Sequence, residues 1–345
     1  MTSTTTARAP RIAILPEPGG NPEKREQAEH SEQDGYPEQA GHAEQVGNPA
    51  PAGYLKQAVL DGGGSVDPLS SDTTGLVIGG KIEMDELSRL LTEHPGIGWI
   101  QLPSAGIERY ADVMNEHADR TWSSAKGAYA RPVAEHILAL TLAALRRLPE
   151  LARTKTWGPE VGAPLYGSRI VIIGAGGIAL EAIRLFRVFG TSITVVRRKD
   201  EPVPAADRTV TTDQLQEVLP EADVVVIAAA LTEGTTSLIG EKELLLLKPS
   251  SILVNIARGK LVDTDALMDA LKQERLAGAA LDVTDPEPLP DGHPLWDEPR
   301  CLITPHTADT EEMVRPLISA RVRENVRRWA AGEELEGLVD VAAGY

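Results

Sequence analysis

One glycine-rich turn constrains the fold of this chain more than any other feature. The apolar run at residues 170–173 leads directly into GAGGIA at residues 174–179, which is the pattern G-x-G-x-x-A. Where such a turn joins a buried strand to a helix, its backbone can approach a pyrophosphate at the positive end of the helix dipole. The sequence therefore predicts a βαβ unit that binds a dinucleotide. Its predicted contacts are Gly174, Gly176, Gly177 and Ile178.

Short apolar runs recur through the second half of the chain, and helical patterns separate most of them. Such runs are typical of parallel strands buried on both faces. The first half carries a smaller set of alternating strand and helix patterns, followed by a long helical pattern at residues 131–151. We therefore expect an α/β protein with a Rossmann-type doubly wound parallel sheet and a second, smaller α/β domain. The runs are residues 170–173, 193–196, 224–228, 252–256, 279–283 and 302–303.

The length of 345 residues also favours two domains, since one hydrophobic core rarely grows so large. Residues 17–50 stand apart, because they contain no Leu, Ile, Phe, Met or Trp. Such a segment buries too little apolar surface to offset the entropy lost on ordering, so we expect a disordered insertion. His30 and His42 lie in it without the spacing of metal ligands, and no metal site is predicted.

Charge and hydropathy exclude several classes of partner. The formal net charge is −17, which disfavours binding to nucleic acid. The N-terminal residues lack an apolar stretch and the apolar run at residues 224–231 is too short to span a bilayer, so we expect no membrane association and a cytoplasmic location. Cys301 is the sole cysteine, which excludes a disulfide within the chain.

The residue after the second strand of a dinucleotide fold selects the cofactor. An Asp or Glu there would bind the ribose 2′-hydroxyl of NAD. Here Arg197, Arg198 and Lys199 follow the run at residues 193–196. Because an arginine fork binds a 2′-phosphate, we predict NADP in preference to NAD, with contacts from Arg197 and Arg198. A solvated basic turn is the alternative interpretation, and it would leave NAD as the cofactor.

Polar residues follow three later strands at the edge where open α/β sheets bind ligands. Arg258 follows the run at residues 252–256, Glu287 follows the run at residues 279–283, and His306 follows the last run. Reduction of a 2-oxo acid needs a cation for the carboxylate and a proton donor for the carbonyl oxygen. It also needs a carboxylate beside that donor, to favour its charged form. Each residue alone has an ordinary structural interpretation, but together they predict a catalytic set.

These motifs together resemble those of the D-isomer-specific 2-hydroxyacid dehydrogenases. The resemblance extends from about Tyr54 to the C-terminus, and its motifs occur in the family's order. They are SAGIE at 104–108, VAEH at 133–136, GAGGIA at 174–179, NIARGKLVDTDAL at 255–267, GAALDV at 278–283, DPEPLP at 285–290 and TPH at 304–306.

The resemblance implies a role for individual residues. Arg258 would bind the substrate carboxylate and carbonyl, His306 would be the acid/base, and Glu287 would be its partner. Asp282 would help to hold the nicotinamide, and the backbone amides of Ala105 and Gly106 would complete the carboxylate site. Further cofactor contacts would come from Thr232, Ile256 and Ala257.

The resemblance also implies a domain arrangement. Residues 1–125 and 309–345 would form a discontinuous, flavodoxin-like substrate domain, and residues 126–308 the dinucleotide domain. The active site would lie in the cleft between the domains, and a homodimer would form through the long helix after Arg131.

The expected function is hydride transfer between NAD(P)H and a small 2-oxo acid, of the hydroxypyruvate or glyoxylate class, to give the D-2-hydroxy acid. One alternative is a dinucleotide-sensing, partner-binding protein of the corepressor type, since fold alone does not settle function. Another is a dehydrogenase of the same fold that acts on a different small acid. His136 and His293 are interpreted as structural.

Overall fold

The computed structural model describes residues 9–16 and 51–342, which form two compact units. Unit 1 comprises the described residues up to Lys126 and from Val314 onward, and unit 2 comprises Gly127–Met313. The insertion predicted at residues 17–50 lies outside the described residues. Among the described residues, no helix has both the length and the apolar character needed to cross a membrane.

Unit 1 is built on a five-stranded sheet in which every neighbouring pair is parallel. The strand order is β2-β1-β3-β4-β5, which is the flavodoxin-like order. The central strands β3 and β4 are buried throughout, as the apolar sequences GLVI and WIQ predict. The strands are β1 (Arg11–Leu15), β2 (Ser65–Val66), β3 (Gly75–Ile78), β4 (Trp99–Gln101) and β5 (Thr121–Ser123).

Unit 2 is built on a seven-stranded sheet, and all of its pairs are parallel as well. Its order is β12-β11-β10-β9-β6-β7-β8, so the direction of winding reverses between β6 and β9. This is the Rossmann arrangement, and it confirms the predicted fold class. The strands are β6 (Arg169–Ile173), β7 (Ser192–Arg197), β8 (Arg208–Thr211), β9 (Val224–Ile227), β10 (Ile252–Asn255), β11 (Gly278–Leu281) and β12 (Cys301–Ile303).

Ten α-helices cover the two sheets in the described part of the chain. Short 3-10 turns follow several strands, including Glu233–Thr235 and Gly259–Leu261. The α-helices are α1 (Pro51–Asp61), α2 (Met84–Glu93), α3 (Ala111–Glu116), α4 (Ala130–Leu145), α5 (Leu148–Arg153), α6 (Gly177–Arg187), α7 (Leu215–Val218), α8 (Glu241–Leu246), α9 (Thr264–Lys272) and α10 (Glu311–Ala331).

The long helix predicted at residues 131–151 is divided into α4 and α5, which corrects the sequence interpretation. Arg147 adopts a left-handed conformation with φ of 50°, and this ends the regular hydrogen bonding of α4. Pro149 then lies in the first turn of α5, where its missing N–H is not needed. The apolar pattern continues across this break, which is why periodicity alone did not reveal it.

The C-terminal segment completes unit 1 through buried polar contacts. Asn325 in α10 donates from Nδ2 to Oε1 of Gln101 on β4 over 2.8 Å. Arg321, one turn earlier and 8% exposed, donates to the carbonyl oxygen of Ser124 over 2.8 Å. These contacts join α10 to β4 and to the residue that follows β5, so unit 1 is discontinuous in sequence.

Candidate active site

The glycine turn after β6 has the geometry that a dinucleotide requires. Gly174 has φ of +114°, and a Cβ there would lie 2.3 Å from the carbonyl oxygen of Ala228. Gly176 precedes the first residue of α6, and no atom lies within 4 Å of the position its Cβ would take. Gly177 and Ile178 open α6, and Ala179 is completely buried. The turn is thus tight at its first glycine and open at its second, where a phosphate would approach the helix N-terminus.

The basic turn after β7 carries the residues predicted to select the cofactor. Arg197 ends β7, and Arg198 and Lys199 follow it as exposed residues. The Arg197 guanidinium donates to the carbonyl oxygen of Glu201 over 3.1 Å, and it lies 3.3 Å from Oε2 of the same residue. The turn therefore offers a cationic fork that is already engaged by one carboxylate.

The loop after β10 holds Arg258 through contacts that sequence reasoning did not single out. The buried side chain of Asn255 accepts from the amide of Ala257 over 3.1 Å and donates to the carbonyl oxygen of Arg258 over 2.9 Å. A Cβ at Gly259 would lie 1.8 Å from the carbonyl oxygen of Thr284. Arg258 is partly buried, and its backbone is fixed on both sides. The glycine directly after the arginine was the sequence signal for this close packing.

Two predicted cofactor residues in this loop are themselves buried. Ile256 is 6% exposed and Ala257 is 9% exposed. The carbonyl oxygen of Ala257 accepts from the Arg258 guanidinium over 2.7 Å.

Thr232, another predicted cofactor residue, lies in the loop after β9. It precedes the turn Glu233–Thr235, and its amide donates to Oγ1 of Thr235 over 2.7 Å.

Asp282 follows β11, and its side chain accepts several hydrogen bonds at this edge of the sheet. It is 1% exposed, and its carboxylate accepts from Oγ1 of Thr304 over 2.6 Å and from the amides of Thr307 and Ala308 over 2.9 and 3.1 Å. His136 Nε2 lies 3.3 Å from the same carboxylate. Burial alone would raise the pKa of the Asp282 carboxyl, but these hydrogen bonds outweigh it and hold the pKa below its usual value.

His306 and Glu287 form a direct pair. Nδ1 of His306 lies 2.7 Å from Oε1 of Glu287, and the two side chains are 48% and 40% exposed. His306 has φ of +49°, which is uncommon for a residue other than glycine. Its amide donates to the carbonyl oxygen of Asp282 over 2.8 Å. When Nδ1 donates to Glu287, Nε2 is the ring nitrogen left for proton transfer.

The parallel register brings together the ends of the three adjacent strands that the predicted catalytic residues follow. Asn255 pairs with Leu281, and Leu281 pairs with Ile303. Arg258, Glu287 and His306 follow the ends of these strands within a few residues, so they share one edge of the sheet. A further carboxyl, that of Asp309, follows His306, and burial raises its pKa above the ordinary value against the opposing influence of His306.

The two predicted substrate-binding amides lie in unit 1. Ala105 and Gly106 follow the carboxyl end of β4, and Ala105 is exposed. Ser104 donates from Oγ to the carbonyl oxygen of Gly106 over 2.6 Å, which fixes the turn. Their role in binding a substrate carboxylate stays a prediction.

The histidines interpreted as structural differ in their contacts. Nδ1 of His293 accepts from the amide of Leu295 over 3.2 Å and so caps the turn Pro294–Trp296. His136 instead lies in α4 and faces the end of β11. Within the described ranges, no three His, Cys, Asp or Glu residues are grouped so that they could hold a metal ion.

Comparison with known proteins assigns this chain to a family. Residues 138–308 match the family model for the NAD binding domain of D-isomer specific 2-hydroxyacid dehydrogenases. The glyoxylate reductase of Aeropyrum pernix is 33% identical over 279 residues, covering 75% of this chain and 83% of that protein. The glyoxylate reductase of Thermococcus gammatolerans is 36% identical over 219 residues, covering 60% of this chain and 65% of that protein.

Solved structures agree at the level of the fold. The D-isomer specific 2-hydroxyacid dehydrogenase of Xanthobacter autotrophicus Py2, in complex with NADPH and MES, has a TM-score of 0.76 at 20% identity, covering 98% of this chain and 100% of that chain. Because a glyoxylate reductase is matched over most of its length and the family model covers the dinucleotide unit, this chain belongs to the D-isomer specific 2-hydroxyacid dehydrogenase family and is an NAD(P)-dependent oxidoreductase.

Proposed function

We propose that this protein reduces a small 2-oxo acid of the glyoxylate or hydroxypyruvate class to the D-2-hydroxy acid, with NADPH preferred over NADH. The observation that carries the proposal is the His306–Glu287 pair at 2.7 Å, on the strand edge that also carries Arg258. The similarity to glyoxylate reductases supports the choice of acid.

The roles follow from the chemistry of the side chains. The bound nicotinamide supplies the hydride. Arg258 presents a planar fork that binds the substrate carboxylate and draws the carbonyl group into a fixed orientation. His306 donates a proton from Nε2 to the carbonyl oxygen, while Glu287 orients the ring through Nδ1 and stabilises the imidazolium. In the reverse direction the neutral imidazole takes the hydroxyl proton.

The preference for NADPH rests on the turn after β7. No acidic residue stands at the end of that strand, where a carboxylate would bind the ribose hydroxyls and repel a 2′-phosphate. Arg197 there presents a guanidinium that a 2′-phosphate can engage in place of Glu201. The exposed cations of Arg198 and Lys199 add to the positive potential.

The deciding experiment follows the absorbance of the reduced nicotinamide with NADPH or NADH and a panel of glyoxylate, hydroxypyruvate, pyruvate and phenylpyruvate. Arg258→Ala and His306→Asn are the test variants. Arg275→Ala is the matched control, because Arg275 is exposed and precedes β11 rather than following a strand end. We expect turnover that both test variants lose and the control retains. Dinucleotide binding without turnover on any acid would contradict the proposal and favour the partner-binding alternative.

We also propose that the protein forms a homodimer through unit 2. Leu148, Trp157 and Tyr166 are large apolar residues exposed by more than half within one short stretch after α4. Such a concentration of exposed apolar surface is typical of an interface. Light scattering of the wild type and of Trp157→Ser tests this, and a monomeric wild type would contradict it.

A further inference from the structure

A cluster of three polar side chains lies at the ends of β11 and β12 and contacts the loop that carries the proposed acid/base. Nε2 of His136 in α4 lies 3.3 Å from Oδ1 of Asp282 and 3.1 Å from Oγ1 of Thr304. Thr304 donates from the same Oγ1 to Asp282 Oδ1 over 2.6 Å. The three side chains thus join a helix to the ends of β11 and β12. His136 has no part in the roles proposed above.

The carboxylate in this cluster holds the loop that carries His306. Its oxygens accept from the amides of Thr307 and Ala308, the two residues that follow the histidine. The backbone carbonyl of Asp282 accepts from the amide of His306 itself over 2.8 Å. Asp282 therefore fixes three consecutive amides with one side chain and one carbonyl group.

His306 needs such support because of its backbone. With φ of +49° it occupies the left-handed region, which is costly for a residue with a Cβ and is maintained by surrounding contacts. The hydrogen bonds that Asp282 accepts from the amides of residues 306–308 are those contacts. Their strength depends on the carboxylate staying ionised and in place although its side chain is 1% exposed. A buried carboxylate needs donors from every side, and His136 is the donor that reaches it from the helix.

We propose that His136 is a positioning residue for His306 that acts through Asp282. By donating to the Asp282 carboxylate, it keeps the loop at residues 304–308 in the strained conformation that aims the His306 ring. This inference rests on the proposed role of His306 as the acid/base. The contacts that connect His136 through Asp282 to the loop at residues 304–308 do not depend on that role.

The test compares three variants. His136→Leu removes the donor, Thr304→Val removes the second member of the cluster, and His136→Gln restores an N–H donor near the place of Nε2. Glu135→Gln, an exposed neighbour on α4, is the control. Each is assayed for kcat and for KM of the 2-oxo acid, for the dissociation constant of NADPH, and for hydrogen exchange of the peptide spanning residues 304–310.

We expect His136→Leu and Thr304→Val to lower kcat by about 10- to 100-fold, because small misplacements of a catalytic group cost this much. KM and NADPH affinity should stay within about twofold, the amides of residues 306–308 should exchange faster, and His136→Gln should recover most of kcat. Unchanged kcat and exchange in His136→Leu and Thr304→Val would overturn the inference, as would a loss of kcat that Gln does not rescue while exchange stays at the wild-type rate.

Failure of the proposed function gives a different pattern. A wild type that reduces none of the acids would refute that function, and hydrogen exchange would still decide the inference on positioning. Faster exchange at residues 306–308 in His136→Leu, with slow exchange in His136→Gln, would support the link. Equal exchange in all variants would exclude it. If the Leu variant does not fold, the Gln and Val variants carry the same comparison.

Discussion

Nδ1 of His306 and Oε1 of Glu287 are 2.7 Å apart, although the residues belong to loops after different strands. Both side chains are close to half exposed, so water screens their attraction and the pair adds little to folding. The contact instead holds the imidazole ring with Nδ1–H directed at Glu287 and Nε2 left for proton transfer. Its value therefore lies in orientation, and its loss should affect turnover more than stability.

Replacing Glu287 by Gln tests this directly. The amide oxygen can still accept from Nδ1, but the negative charge that favours the imidazolium is lost. We expect kcat for reduction to fall by about 100-fold, with the melting temperature nearly unchanged. Steady-state assays measure kcat and thermal melts measure the melting temperature. Glu217→Gln, at an exposed position, is the control. A large change in melting temperature with kcat preserved would contradict this interpretation.

Gly259→Ala should disrupt the loop that holds Arg258. The new Cβ would lie 1.8 Å from the carbonyl oxygen of Thr284, a distance that requires the two backbones to separate. We expect a loss of about 3 kcal/mol in the free energy of unfolding, together with loss of activity. Denaturant titration measures it. Gly158→Ala is the control, because no atom lies within 4 Å of that Cβ position. Equal stability of the two variants would refute the steric argument.

Glu201→Gln should sharpen the preference for NADPH. The Glu201 carboxylate lies 3.3 Å from the Arg197 guanidinium and would compete with a 2′-phosphate for it. Since Glu201 is 63% exposed, neutralising it should cost little stability. We expect KM for NADPH to fall by about 5-fold and KM for NADH to stay the same. Arg197→Ala should do the reverse, raising KM for NADPH alone. A fall in both KM values would point to a general charge effect.

Cys301 should resist thiol reagents until unit 2 unfolds. Burial raises the pKa of its thiol to about 12, and the charge of Glu298 adds to this effect. The thiolate is the reactive form, so the folded protein presents almost none at pH of about 8. An unfolded cysteine ionises near its ordinary pKa of about 8.5, so stability should decline as pH rises above that value. Timed labelling with a disulfide reagent, with and without urea, measures the difference, and rapid labelling of the native protein would contradict the buried position.

The loss of stability in Asp282→Asn, relative to the wild type, should depend on pH. The folded state holds the pKa of the Asp282 carboxyl below its usual value, so its contribution is present above the unfolded pKa of about 3.9 and is lost as pH falls through the lower folded value. At neutral pH we expect the variant to be less stable by about 3 kcal/mol. That deficit should shrink in acid, and urea titrations at several pH values measure it. A deficit that stays constant down to strong acid would show that charge is not its cause.

Most strands of unit 2 could be predicted from the sequence. The six apolar runs coincide with β6, β7, β9, β10, β11 and β12. Strand β8 was not predicted, because its sequence RTVT buries only Val210 and it lies at the outer edge of the sheet. An edge strand covered on one face lacks the continuous apolar signal by which the central strands were recognised.

Some residues of the candidate site could be predicted from the sequence and others could not. Arg258 and His306 could be predicted because they follow strand ends, and the carboxyl ends of parallel strands lie at one edge of the sheet, where ligands bind. His136 could not, since it lies in a helix more than a hundred residues before Asp282, and only the packing of α4 onto the strand ends brings them together. The strained backbone of His306 was equally hidden, because a histidine in the sequence does not by itself indicate a positive φ.

Strand β12 has only three residues and pairs with β11 alone, at the outer edge of the sheet. Edge elements with few backbone partners open at a lower free energy than the centre of a sheet. The proposed proton donor is therefore attached to one of the least protected strands of unit 2. Heating should accordingly inactivate the enzyme reversibly before the central strands melt, so that the upper temperature of catalysis and the upper temperature of folding are set by different parts of the same sheet.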